Sequence, residues 1–524
     1  MASKNQNFIV NPASGGLDAT TAPFLVPPGS FVIAENVLYG NSGGKRKRLG
    51  TSRYNASTIG SSIVIGAISD FWRHGTDPTG TQKFVCIADD TIYKDDGDGV
   101  WDVVEAAWSA AGRQARQNII IAQGYALFSD GTAAPRKWDQ TTDSALANSP
   151  VYEFGVYHLR RLLVSGISAN YSRVDYCAAG DIETWTGADS GSFIFDEDDG
   201  DRVMGISKPF RGSVFIFKGP NTGSVHAISG TTPGDFRKER VLTGAPCVAH
   251  KSIITTANDV YWCSRYGFHS LSATAKYGDT EEAFLSRPIQ AEFDRLVVSR
   301  LNQVCSFHHP RYNIIGWGVV GPGATNNDTV FVYNYVLNAW SIWKFNGFGP
   351  ASLAVMQEPA AGGDQRLPRL YVGAYNGFLY EGDQTTYTDN AGDAYTFRLR
   401  TPIHYKLSDF ATEVVEKQFY RATTFYRPTG SFTASLNILV DGRRQALTID
   451  LSGIGDLIGT TFIIGTSLIS SSTDVNIRES VINDVGRGIQ LEWLNSSSGQ
   501  DIELYGYAIA YGIAETMAQE RSTA

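Results

Sequence analysis

The sequence predicts an all-β chain: a β-propeller of six or seven blades with an additional C-terminal β-sandwich-like domain and few short helices. Short apolar runs punctuated by Gly, Asp and Asn recur in groups of three or four from Ile63 to Tyr380. Each group takes roughly 40–50 residues, the repeat of propeller blades. The 54 glycines and 25 tyrosines stand against 4 methionines, a balance that supplies hairpin turns and half-buried pleated faces. One small sheet cannot bury both its faces, whereas a closed ring of sheets can.

The first group runs Ile63–Phe71, Lys83–Ala88 and Thr91–Lys94. The second runs Asn118–Ile121, Tyr125–Ser129 and, after the turn Asp130–Gly131, Arg136–Trp138. His158–Ser165 with Arg173–Cys177 makes a third, and Met204–Ile206 with Ser213–Lys218 and Ser224–Ile228 a fourth. Ser252–Thr256, Val260–Ser264 and Gly267–Leu271 follow. Two later groups hold Arg311–Val319, Thr329–Tyr335 and Ala339–Phe345, then Leu353–Met356, Leu370–Ala374 and Gly377–Tyr380. Recurrent aromatics (Trp101, Trp138, Trp185, Trp262, Trp340, Trp343) are expected to fill the wedges between sheets. One segment, Ser286–Leu301, breaks the pattern: Ile289, Phe293, Leu296 and Val297 fall at helical spacing behind Ser286 and Pro288, predicting an amphipathic helix between two blades.

From about Thr396 the runs lengthen and alternate, and Asp441–Gly442 between two of them is a hairpin signal. The expected division is therefore an extended N-terminal docking arm over 1–60, the propeller over 61–394, a sandwich-like domain over 395–514 and a frayed tail over 515–524.

Composition narrows the function. A net charge of -9 over 524 residues disfavours a sequence-reading nucleic-acid binder, which carries a basic face. No apolar run is long enough to span a membrane, and the opening MASKNQNFIVNPASGG lacks a secretory signal, so folding is expected in the cytosol. Cys86, Cys177, Cys247, Cys263 and Cys305 show no CxxC spacing, which points to reduced, buried thiols.

Lys45, Arg46, Lys47 and Arg48 form a basic run behind Asn41–Gly44. It is either a solvated turn or a grip on an acidic partner or a phosphate backbone. Asp95, Asp96 and Asp98 open like a calcium loop, but no glutamate closes it, and a polar hairpin tip is the better reading. Asp196, Glu197, Asp198, Asp199 and Asp201 make a denser acidic cluster. It reads as an interblade loop, and as a candidate lining if the chain rings a channel. The eight histidines show no metal spacing, and neither a GxSxG nor a phosphate-binding loop occurs. The expectation is a protein without catalytic activity, cofactor or metal.

Residues Gly15–Tyr54, with Ala34–Val37 and the basic Lys47–Gly50, resemble the opening of bacteriophage tail nozzle or tail-hub proteins, the head-to-tail stabilisation proteins of short-tailed phages. The similarity continues at Gly124–Arg136, Val174–Trp185, Ser252–Leu271, Val332–Trp343 and Leu370–Thr401. The resemblance implies a virion structural protein. Six copies form a ring below the portal and adaptor, in contact with other tail proteins. That ring extends and closes the channel through which genomic DNA passes without sequence-specific binding. It further implies assembly in the host bacterial cytoplasm and a place in the virion tail. Six chains carry about -54, a field that discourages DNA from sticking. The basic run is then a candidate for docking on the adaptor. The alternative is a host-receptor or carbohydrate-binding propeller of the tail, since exposed aromatics on a propeller face can stack on sugars.

Overall fold

A computed structural model describes residues 6–10, 15–60, 64–73, 81–109, 112–272, 284–357, 367–390, 392–409, 411–452 and 475–514. The expected tail over 515–524 lies outside the described residues. The chain divides into two compact units: Thr51–Val330 with Gly347–Asp383, and Met1–Gly50 with Phe331–Asn346 and Gln384–Ala524.

The first unit is the propeller, and its blades number seven among the described residues. Four are four-stranded antiparallel meanders: Ile65–Arg73 to Trp101–Glu105, Asn118–Ala122 to Asp143–Ala145, Phe154–His158 to Gly191–Ile194, and Arg202–Ile206 to Arg237–Thr243. The fifth has three strands, from Ile254–Thr255 to Phe268–Ser270. The sixth begins with Cys305–His309 against Ile314–Val319. The seventh runs Pro350–Met356, Arg369–Ala374 and Leu379–Gln384, and takes Gly50–Arg53 as its outer strand. That last pairing closes the ring with chain from before the first blade. Tyr54 N–H donates to Leu379 O (2.8 Å), and the Asn55 amide oxygen accepts Leu379 N–H (2.7 Å). The first strands of successive blades neighbour one another around the axis, except that Arg202–Ile206 of blade four meets the 3-10 turn His250–Ser252 ahead of blade five, and Pro350–Met356 returns to Ile65–Arg73.

Between blades the core is apolar, as a ring of half-buried sheets requires. Phe71 and Val85 of blade one pack on Phe128 and Trp138 of blade two. Trp262 of blade five sits among Phe215, Phe217 and Val225 of blade four. Phe84 and Cys86 of blade one meet Tyr371 and Leu379 of blade seven. Trp340 and Trp343 instead belong to the second unit, where the Trp343 indole donates to Val37 O (2.9 Å).

The second unit is a β-sandwich. One sheet orders Val37–Tyr39, Lys45–Lys47, Glu503–Ile513, Lys417–Arg427 and Asn476–Gly486, with Gln6–Val10 also on Glu503–Ile513. The other carries Ala339–Trp343, Ile33–Glu35, Phe397–Arg400, Ile489–Asn495, Thr433–Val440 and Arg443–Asp450 in that order. Trp493 joins the two across the core, its ring 5.6 Å from that of Tyr507 and its N–H on Thr424 Oγ1 (3.1 Å). The Asp441–Gly442 turn has φ of 47° and 83°, the paired left-handed residues that a two-residue hairpin loop demands.

Two expectations need correction. Residues 1–60 are no extended arm: their strands are sandwich strands and the closing strand of blade seven. Ser286–Leu301 is not one helix either. A single turn, Gln290–Phe293, follows a 3-10 turn at Arg287–Ile289, and a second 3-10 stretch covers Val298–Gln303. Ile289, Phe293, Leu296 and Leu301 are all buried, and the break at Asp294–Val297 lets both short pieces turn apolar residues inward.

Candidate functional site

The basic run proves to be interior. Lys45–Lys47 is a sandwich strand between Val37–Tyr39 and Glu503–Ile513, and Lys45, Lys47 and Arg48 are 2%, 0% and 1% exposed. Arg48 spends all five of its N–H donors within the unit. Nε donates to Asn36 Oδ1 (2.9 Å) and Nη1 to Leu49 O and Asp389 Oδ1 (both 3.0 Å). Nη2 donates to Lys344 O (2.9 Å) and Asp389 Oδ2 (2.5 Å). The guanidinium also lies over the Tyr395 ring at 3.8 Å. Lys47 Nζ reaches Asn495 Oδ1 and Ser497 O (both 3.1 Å), and Arg46 pairs with Asp501 at 2.8 Å. Burial pushes Lys45 down to about 7; burial and then the neighbouring Arg48 charge push Lys47 down to about 8. Docking through Lys45–Arg48 is therefore corrected: three of the four cations are enclosed, and the run holds the sandwich together.

The acidic loop joins blades three and four. Asp201 is buried, and its carboxylate accepts the N–H groups of Asn221, Thr222 and Gly223 at 2.7, 3.0 and 2.7 Å. Asp199 pairs with the enclosed Lys218 (2.6 Å), and Asp196 with Arg240 (2.6 Å). Glu197 accepts from the Asn170 amide. Thus Asp196, Asp199 and Asp201 act within the propeller as caps and ion pairs, while Glu197, Asp198 and Asp199 are exposed. The Asp95 carboxylate likewise caps its hairpin, accepting Gly97 and Gly99 N–H (2.9 Å each) and the Tyr54 hydroxyl (2.6 Å). Among the described residues no group of three or more His, Cys, Asp or Glu is placed to hold a metal ion.

What the ring does create is an axial cavity of about 400 Å³, walled by the first strands of blades one, two, five, six and seven and by Lys208 at the end of blade four's first strand. Gln117, Asn118, His250 and Lys251 continue into a smaller neighbouring space of about 50 Å³ beside Arg116, Glu153 and Arg202. Lys251 donates to Gly66 O (2.7 Å) and Gln114 O (2.8 Å), and Ser306 Oγ donates to Lys251 O (2.6 Å). Gly66 is required there, since a Cβ would come 2.1 Å from Gln117 Oε1. His250 stacks on Phe154 (4.8 Å), and burial drives it down to about 3; it is neutral in neutral solution. Burial also raises Asp70 and Glu153, although Arg116 at 3.5 Å, with Arg202, Arg113 and Lys251, works against the rise at Glu153. The cavity is thus richer in cations than in carboxylates, the reverse of the chain as a whole. No sequence motif marks it, because its lining comes from strands far apart along the chain, such as Gly66–Asp70, Cys305–His308 and Ser352–Met356.

No protein-family model matches the chain, and no curated protein matches it. Solved structures do. A structure described as YCF48 bound to D1 peptide covers 64% of this chain and 97% of its own, at 8% identity and a TM-score of 0.36. A glycoside hydrolase covers 87% and 99%, at 10% identity and a TM-score of 0.23. An exo-beta-1,3-galactanase from Phanerochaete chrysosporium covers 88% and 100%, at 9% identity and a TM-score of 0.25. The expectation of a chain without enzymatic activity is withdrawn on this finding, because glycoside hydrolases stand among the structures it is similar to. Among the described residues no helix is long and apolar enough to cross a membrane.

Proposed function

We propose that this chain is a ring-forming structural protein of a bacteriophage tail, a nozzle or hub of six copies set below the portal and adaptor. It extends and closes the channel for the genome, is assembled in the host cytoplasm and resides in the virion tail. The resemblance from Gly15–Tyr54 to Leu370–Thr401 supports this reading, as does the net charge of -9. The observation that carries it is an edge strand. Among the described residues Asn476–Gly486 ends its sheet, and Ile477, Val481 and Val485 on it are 57%, 66% and 37% exposed. A long edge with an apolar row is a liability in a solitary protein and an asset in one that meets copies of itself. The test is the native mass of the purified protein. A six-copy ring is expected, falling to single chains in the variant Ile477→Lys/Val481→Lys with its thermal unfolding unchanged. A parent protein that stays a single chain and never joins a portal–adaptor assembly would overturn the proposal.

A host-receptor or carbohydrate-binding propeller is the second reading. Tyr171, 44% exposed with the Arg202 guanidinium 5.8 Å from its ring, borders a shallow depression beside Asn170 and Glu197. Retention on a glycan array that Tyr171→Ala abolishes would favour it; equal retention by the variant would discard it.

A further inference from the structure

We infer that an arc of cations at one end of the propeller docks on the acidic loop at the opposite end of a second copy of this chain. This contact lies within the ring proposed above and rests on that reading. In an antiparallel meander the turn after a first strand and the crossing to the next blade lie at opposite ends of the sheet. The first-strand turns of blades three, four and six, at 159–160, 207–213 and 310–313, carry Arg160, Lys208, Arg211 and Arg311, all four exposed.

The turns adjoin one another. The His158 ring lies against the backbone of Gly212, which brings the turn of blade three to that of blade four. Thr255 Oγ1 of blade five donates to Lys208 O (3.5 Å), and Lys208 lines one cavity with Thr255 and His308. Among the described residues none of the four cations has an ion-pair partner; Arg211 and Arg311 meet only the rings of Phe210 (5.0 Å) and Tyr312 (5.3 Å). The carboxylates of neighbouring turns at this end are spent nearby. Glu183 pairs with Lys137 and Asp189 with Arg161 (2.6 and 2.5 Å), while Asp181 and Asp235 cap their own turns. Like charges left side by side repel one another, and an anionic surface relieves that repulsion.

The crossing from blade three to blade four, at 195–201, lies at the other end and exposes Glu197, Asp198 and Asp199. Asp199 answers Lys218 (2.6 Å) and Glu197 meets the Asn170 amide, whereas Asp198 has no partner among the described residues. Two different patches on one chain make a head-to-tail contact, the kind from which rings close. Apolar groups favour protein over a phosphate backbone as the occupant. Leu159, Pro209 and Pro310 are exposed among the cations, and Tyr171, 44% exposed, stands beside Glu197 at the acidic end.

Sedimentation of the full chain at about 50 mM salt, where exposed charges are weakly screened, tests the contact. Arg160→Glu/Arg211→Glu and Glu197→Lys/Asp198→Lys should each raise the concentration at which rings form by about tenfold or more. The variant with all four changes should assemble at least about threefold more readily than either, because the exchanged charges attract again. Thermal unfolding should be unchanged throughout, since all four positions are exposed. Rings that persist in both double variants, or no recovery in the fourfold variant, would overturn the contact and leave the ring standing. A parent that stays a single chain would overturn both. Saturable binding of a duplex DNA oligonucleotide that Arg160→Glu/Arg211→Glu abolishes, with assembly unmoved, would assign the arc to phosphates and overturn the contact as well.

Discussion

Arg48 and Asp389 are enclosed at 1% and 0% side-chain exposure, and the surrounding sandwich is arranged around their five-fold donor set. Replacing Arg48 by Lys keeps the charge but leaves three N–H donors for five acceptor contacts, and the flat stack on Tyr395 is lost. Two unsatisfied buried acceptors at about 1–3 kcal/mol each give a cost of about 2–6 kcal/mol. Asp389→Asn strands a buried cation and removes the oxygen that also accepts Asn346 N–H (2.9 Å); breaking such a pair costs about 3–5 kcal/mol. Roughly 200 residues share this unit, so each kcal/mol should lower its midpoint by about 2–4 °C. Thermal unfolding of the full chain, followed through the fluorescence of Trp340, Trp343 and Trp493, should therefore drop by about 10 °C in either variant. The drop should be insensitive to salt, because a dry pair is poorly screened. The double variant Arg48→Met/Asp389→Leu should lose at least 2 kcal/mol less than the two single effects summed. Single variants within 1 kcal/mol of the parent would refute the assignment of this pair as the sandwich's internal brace.

The buried lysines make the same unit pH-sensitive. With Lys45 at about 7 and Lys47 at about 8 in the fold, against 10.5 ordinarily, the unfolded chain holds more protons above pH 7, so stability should climb from about pH 7 toward 10. It should fall beyond that, where Tyr39 and Tyr395, both raised by burial, ionise first in the unfolded chain; Lys45→Met/Lys47→Met should flatten the climb in a series of urea midpoints. A single proteolytic cut between 382 and 393 should leave the fragments co-eluting on native size exclusion, because Met1–Gly50 and Gln384–Ala524 belong to one unit; separable halves would contradict that. Trp138→Ala should cost about 3–5 kcal/mol in chemical unfolding, since Trp138 fills the wedge against Phe71 (5.8 Å), and a loss under 1 kcal/mol would show that the wedge collapses freely.

The blades are legible in the sequence because their determinants are local. Strands such as Thr81–Ala88 and Val214–Gly219 carry the apolar runs Phe84–Ala88 and Val214–Phe217, and each pairs with its sequence neighbour across a short polar turn. The hairpin at Asp441–Gly442 is equally local. Legibility ends where chain-distant segments decide the outcome. Ile314–Val319, Thr329–Asn334 and Ala339–Trp343 are successive sheet neighbours, as their pattern implies, yet no local pattern announces that Phe331–Asn346 clusters with the sandwich unit, where Glu35 pairs in parallel with Ile342. The helical spacing of Ser286–Leu301 is real, but burying Leu301 as well as Ile289 and Phe293 requires the chain to turn between them.

Charged side chains show the limit most clearly. A cation run and an acid run look like surface by composition, because an ionised group leaves water only when partners replace its hydration. Arg48 finds Asp389, 341 residues along the chain, and Asp201 finds three successive N–H groups about twenty residues on. Neither partner can be read from the run itself. Where topology supplies the partner, a charged motif becomes structure rather than surface.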